Sequence, residues 1–132
     1  MPATPSIMSL HLQYRLWIAE LNFDINVLRI FGDYLVELNT KGKDAVLKQK
    51  SDGFEKKFQA LRTEIDEIRH EMHIAKMKLG ANARDAKPFD YKEYNKESHS
   101  PLKKRLAEYK AEFKKTNKEV EAFEADWLSE KI

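Results

Sequence analysis

The stretch FEKKFQALRTEIDEIRHEMHIAKMKL, residues 54–79, places Phe54, Phe58, Leu61, Ile65, Ile68, Met72, Ala75 and Leu79 at steps of four and three. That alternation returns to one side of an α-helix every second turn, so these side chains form a seam suited to helices packed side by side. Followed upstream, the same phase takes in Ser51 and Leu47 across Asp52-Gly53. A glycine inside a helix costs only about 1 kcal/mol against alanine. One continuous helix is therefore predicted over 43–79, with Asp44 as its N-cap and Gly80 as its stop.

Two further seams flank this one. Upstream, Leu10, Tyr14, Trp17, Leu21, Asp24, Leu28, Phe31, Leu35 and Leu38 share the spacing, with Asp24 alone breaking the apolar line. Downstream, Leu102, Leu106, Tyr109, Phe113, Thr116, Val120, Phe123 and Trp127 do the same. Ser9 and Gly42 would bound the first helix, and Ser100-Pro101 would supply an N-cap and a first-turn proline to the third. The predicted fold is all-α: an elongated antiparallel three-helix bundle of coiled-coil type with helices over 9–41, 43–79 and 101–130. At 1.5 Å per residue each would run about 45 to 55 Å.

The segment ANARDAKPFDYKEYNKESHS, 81–100, shows no clear period and reads as a long loop within a single domain spanning 1–132. Loops of this length in compact domains are commonly functional or mobile. Phe89, Tyr91 and Tyr94 give this one the means to fold onto the bundle end or to meet a partner.

Composition agrees with helices: of 132 residues 42% are hydrophobic and 35% charged, with 4 Gly and 4 Pro. There is no cysteine, which excludes disulfides, thiolate metal sites and a cysteine nucleophile. No stretch has the length and apolarity of a membrane span or a secretory signal, so a cytoplasmic protein away from membranes is expected. The net charge of +2, from 24 basic and 22 acidic residues, is too balanced to identify a polyanion as partner. Nucleic acid is allowed but unsupported.

Charge does suggest how the helices run. Residues 102–118 carry seven basic and two acidic side chains, while 119–132 carry one and five. Cations at a helix N-terminus oppose the macrodipole. Antiparallel packing would set them beside the acidic stretch Arg62 to Glu71 of the second helix.

Two polar features invite a metal reading. Glu67-x-x-His70, with His73 beyond, has the spacing that metal-binding bundles use, but those sites project their motifs inward and in pairs. With Ile65, Ile68 and Met72 in the seam, Glu67, His70 and His73 face outward and read as a solvated surface. Asp24, with Glu20 one turn before it, lies within the seam itself. A buried carboxylate needs a partner or a proton, and the antiparallel register brings Arg62, Thr116 and Asn117 near it. The expected role is a buried polar layer that fixes register; the alternative is a ferritin-like metal site drawing on Glu20, Asp24, Glu67, His70 and His73.

The first helix is also wider in its apolar arc than the other two. Beside its seam runs a row of Leu16, Phe23, Val27, Ile30 and Tyr34, broken by Glu20. Two narrow helices cannot cover that row, and an exposed apolar patch of this kind marks an interface. The expectation is a homo-oligomer joined through this helix. The LWIAELNF region followed by IDEIRHEMH resembles small bacterial helical-bundle proteins over residues 10–75, a resemblance that implies no activity, and the architecture resembles spectrin-like bundles.

No phosphate-binding loop, no Gly-x-Ser-x-Gly and no His-Glu-x-x-His occurs in the chain. The sequence points to a non-enzymatic scaffold or adaptor, without cofactor, that self-associates and binds a macromolecular partner. The metal-binding bundle is the alternative, and a protein of RNA or ribonucleoprotein, touched by pairs such as Lys114-Lys115, is a further one.

Overall fold

In a computed structural model, which describes residues 4–41, 44–85 and 88–131, with the backbone alone at 41 and 127–131, the chain forms three long helical rods. The first is α1 (Ile7–Lys41) and the second α2 (Ala45–Arg84). The third is built from α3 (Tyr91–Tyr94), a π-helical turn (Asn95–His99) and α4 (Ser100–Lys131). The 40 residues of α2 correspond to about 60 Å, so the bundle is elongated.

All three seams point inward. From α1, Leu10, Tyr14, Leu21, Leu28 and Leu35 are buried; α2 contributes Leu47 and the series from Phe58 to Leu79; α4 contributes Leu102, Leu106, Tyr109, Val120 and Phe123. Phe31 meets Phe58 with ring centroids 5.9 Å apart, and Phe54 meets Phe123 at 5.3 Å. The order is up, down, up. α2 is antiparallel to both neighbours, and α1 and α4 run the same way.

Helix boundaries follow local chemistry. Asp44 caps α2 by accepting from the Val46 amide at 2.8 Å, and α2 runs unbroken through Gly53. The first helix starts earlier than Ser9: the Ser6 and Ser9 hydroxyls accept each other's backbone N–H at 3.1 and 2.9 Å, a reciprocal cap with Ser6 outermost. Gly42, read as the end of that helix, and the side chain of Trp127 lie outside the described residues.

Of the region 81–100, which its sequence suggested to be a loop, residues 81–84 and 91–100 are helical. α2 continues past Gly80 for another turn, because Ala81, Asn82 and Ala83 keep it going more cheaply than one glycine stops it. Helix resumes at Tyr91, where Asp90 accepts from the Glu93 amide at 3.2 Å. Phe89 and Tyr94, ring centroids 5.6 Å apart, sit before and after that cap as a hydrophobic staple.

Ser100-Pro101 consequently lies inside the third rod rather than at its start. Proline in a helix interior lacks an N–H and its ring collides with the carbonyl four residues back. The turn that leads into Pro101 is widened to π geometry, in which the Ser100 amide bonds to the Asn95 carbonyl. This lets the rod continue through the proline.

Candidate functional site

Three groups of side chains carry the chemistry of this bundle, and the sequence had singled out parts of two.

The first is the outer face of α1. Leu16 is 57% exposed, Phe23 66% and Ile30 56%, with Leu12 joining them at 55%. Val27 and Tyr34 of the same row are half-buried. Other large exposed apolar side chains include Val46, Ile74 and Met77 on α2, but they form no comparable line. The narrow arcs of α2 and α4 are used up on the seam, which leaves this side of α1 uncovered within the chain.

The second group surrounds Asp24. Its carboxylate is half-buried and accepts from the Tyr109 hydroxyl at 2.9 Å. Burial pushes its pKa up, against the pull of the Tyr109 hydrogen bond and of Lys110. The expected partners are elsewhere. Arg62 is exposed and bonds Asp66 on its own helix at 3.3 Å. Thr116 is buried and Asn117 half-buried, one heptad further along α4 than Tyr109. Asp24 thus pairs with Tyr109 and not with Arg62, Thr116 and Asn117. The register differs because the third rod begins ten residues earlier than the proline suggested and includes a widened turn.

Because native Asp24 has a raised pKa, its charged form disfavours the fold at neutral pH. The contribution is favourable below the unfolded carboxylate value and is lost as pH rises through the native one. Asp24→Asn keeps an acceptor for Tyr109 and drops the charge, so its unfolding free energy should equal or exceed that of the parent at pH 7. Asp24→Leu leaves the buried Tyr109 hydroxyl without an acceptor and should cost about 1–3 kcal/mol. Urea melts of the two variants check this. Equal losses in both would contradict it.

The third group was missed by sequence reasoning because it lies in the stretch read as a loop. His99 sits in the π turn, 5% exposed. Its Nδ1 lies 2.8 Å from the hydroxyl of Tyr14, which lies 2.8 Å from that of Tyr94. Trp17 stacks on the imidazole at 5.7 Å and 7°. The cluster ties α1 to the head of the third rod. Tyr14 is 0% exposed, so the arrangement is a closed lock. The Asp90-x-x-Glu93 capping signature was the signal that a helix, and hence a buried face, began there.

Burial, with Lys103 adding to it, holds the His99 pKa below its ordinary value. For a depressed histidine the stabilising contribution is complete above the unfolded value and is lost as pH falls through the native one, since the unfolded chain takes up the proton first. Stability should therefore fall from pH 7 toward pH 5 by an amount that the His99→Gln variant does not show. Parallel thermal melts of both proteins read this difference, and superimposable pH profiles would contradict it.

The outward trio behaves as a surface. His70 and His73 are exposed, and Glu67 is engaged by Arg105. The Arg105 guanidinium also reaches Glu71 and Glu64, the latter at 2.8 Å. These hydrogen bonds, the one to Glu64 foremost, raise its pKa. This is the expected meeting of the basic half of α4 with the acidic stretch of α2. Glu20 is held by Lys110 at 2.7 Å. Glu20, Asp24 and Glu67 thus each face a different donor on the third rod. Among the described residues no three His, Asp or Glu side chains are placed to hold one metal ion. No described helix is long and apolar enough to cross a membrane.

No family model, no curated protein and no solved structure matches the chain.

Proposed function

We propose that this protein is a non-enzymatic helical scaffold or adaptor of the cytoplasm that self-associates through the outer face of α1 and offers its charged outer surfaces to a macromolecular partner. The observation that carries this reading is the exposed line of Leu12, Leu16, Phe23 and Ile30 on a helix whose opposite side already supplies the core. Apolar side chains on a charged bundle gain by leaving water, at roughly 25 cal/mol per Å², and a second copy of the same face is always present to meet them. Two of the polar groups within the bundle have structural partners: His99 is closed in by Tyr14 and Trp17, and Asp24 is held by Tyr109.

The metal-binding alternative draws no support from the geometry, because Glu20, Asp24 and Glu67 each face a different donor on the third rod and His70 and His73 are exposed. Native mass spectrometry of untagged protein separates the two readings in one experiment. The scaffold reading expects a metal-free species of about 31 kDa, twice the 15.5 kDa chain. A monomer carrying one equivalent of zinc, iron or manganese that disappears in His70→Ala would favour the alternative and overturn the proposal.

A further inference from the structure

The exposed face of α1 has an order that its core seam lacks. Counting from Phe23, Ala19 and Val27 lie four residues away on either side, Leu16 and Ile30 seven, and Leu12 and Tyr34 eleven. The steps of three, four and four repeat every eleven residues, a period of 3.67 per turn that keeps a stripe almost straight along a helix. The spacing also reads the same in both directions about Phe23. A stripe with that symmetry matches itself reversed, so two copies can pair antiparallel about a two-fold axis at Phe23.

Charge distinguishes the two ways of pairing such a stripe. Arg15, Asn26 and Glu37, again eleven residues apart, line one flank, with Asp33 beside Glu37. When two helices pair antiparallel about a two-fold axis, each flank meets the same flank of the other copy. With Phe23 on Phe23, residue 15 stands opposite residue 31 of the second copy, so the nearest acid to Arg15 on that flank is Asp33, about 3 Å further along the helix, twice per dimer. Asp33 is open to such a contact: its side chain is 75% exposed and only loosely held by Arg29 of its own helix, at 3.6 Å. Parallel pairing would bring this flank against the opposite one. There Glu20, the acid that would meet Arg15, is already bonded to Lys110 of α4, while Asp33 would face the apolar, half-buried Leu38.

We infer that the partner of this face is a second copy of the chain, docked antiparallel with its two-fold axis at Phe23 and oriented by Arg15 against Asp33. This rests on the self-association reading and goes beyond it by fixing register and direction. The apolar stripe supplies the attraction, and the charged flank selects the orientation.

The absence of cysteine makes the geometry directly testable. Helices about 8–10 Å apart, with Cα atoms at a radius of about 2.3 Å, bring facing residues within reach of a disulfide. Under mild oxidation Phe23→Cys should crosslink to itself. Leu12→Cys should crosslink to Tyr34→Cys in a mixture, and neither should crosslink alone, because the two copies of residue 12 stand about 33 Å apart. Arg15→Glu should raise the dimer dissociation constant about tenfold, and adding Asp33→Arg should restore it. Efficient self-crosslinking of Leu12→Cys would show a parallel dimer and overturn the inference. A dimer by light scattering with no crosslink at Phe23→Cys would overturn it too, while leaving self-association intact. A monomer by light scattering would end both.

Discussion

Tyr14→Ala should lower the unfolding free energy by about 3–5 kcal/mol, the largest loss expected of any substitution on α1. The ring is fully buried at the end of the bundle. It packs on Trp17 and His99, with centroids 5.6 Å away in each case. Removing it opens a cavity where α1 meets the head of the third rod, and the helices on either side are too long to collapse into it. Tyr14→Phe isolates the polar part of the effect. The ring stays, but His99 Nδ1 and the Tyr94 hydroxyl lose the group that lies 2.8 Å from each. A buried polar group left unsatisfied costs about 1–3 kcal/mol. Urea denaturation should therefore rank the variants parent, Phe, Ala, with an unchanged dependence on denaturant. Tyr14→Phe as stable as the parent would mean that the hydrogen bonds contribute nothing and that the cluster is only a packing element.

The second large effect concerns assembly and should leave the fold untouched. Phe23→Lys combined with Ile30→Lys should convert the protein to a monomer at tens of micromolar, a loss of at least tenfold in association, with helix content and thermal stability of the subunit preserved. Both side chains are more than half exposed within the chain and lie outside its buried core, so charge at these positions should leave the core packing in place. Val27 is a poorer choice, because it is half-buried against its own bundle. Circular dichroism together with sedimentation velocity reads both halves of this expectation. A variant that stays dimeric would place the interface elsewhere. A variant that unfolds would show that the outer face of α1 supports the subunit itself.

What the sequence disclosed and what it concealed have the same physical origin. The heptad phase from Leu47 to Leu79 is a long-range regularity, and a single Gly53 cannot outweigh it, so that helix and its burial could be read directly. The same holds for the opposed charge blocks that bring Arg105 to Glu64, Glu67 and Glu71. Punctuation residues misled where periodicity was weak. Gly80 and Pro101, with no clear period between them, suggested a loop, although Ala81 to Arg84 continue the helix and a π turn accommodates the proline. That one misreading hid His99, which closes the cluster with Tyr14 and Trp17. It also set the third rod a heptad out of register, so that Asp24 was matched with Thr116 and Asn117 instead of Tyr109. The surplus row on α1 was legible as a pattern, since five large apolar residues lie beside the seam; the bundle half-covers Val27 and Tyr34 and leaves Leu16, Phe23 and Ile30 exposed. Its eleven-residue order emerges only when Leu12 and Ala19 are seen to share the same exposed side.

The central claim is that the uncovered face of α1 exists to meet another copy. Static light scattering on the wild-type protein, from about one to one hundred micromolar, the range in which a biologically useful contact persists, tests it most directly. The expected result is a mass that rises to about twice the 15.5 kDa chain and holds there at the upper concentrations. A mass that stays at one chain across the whole range would contradict it.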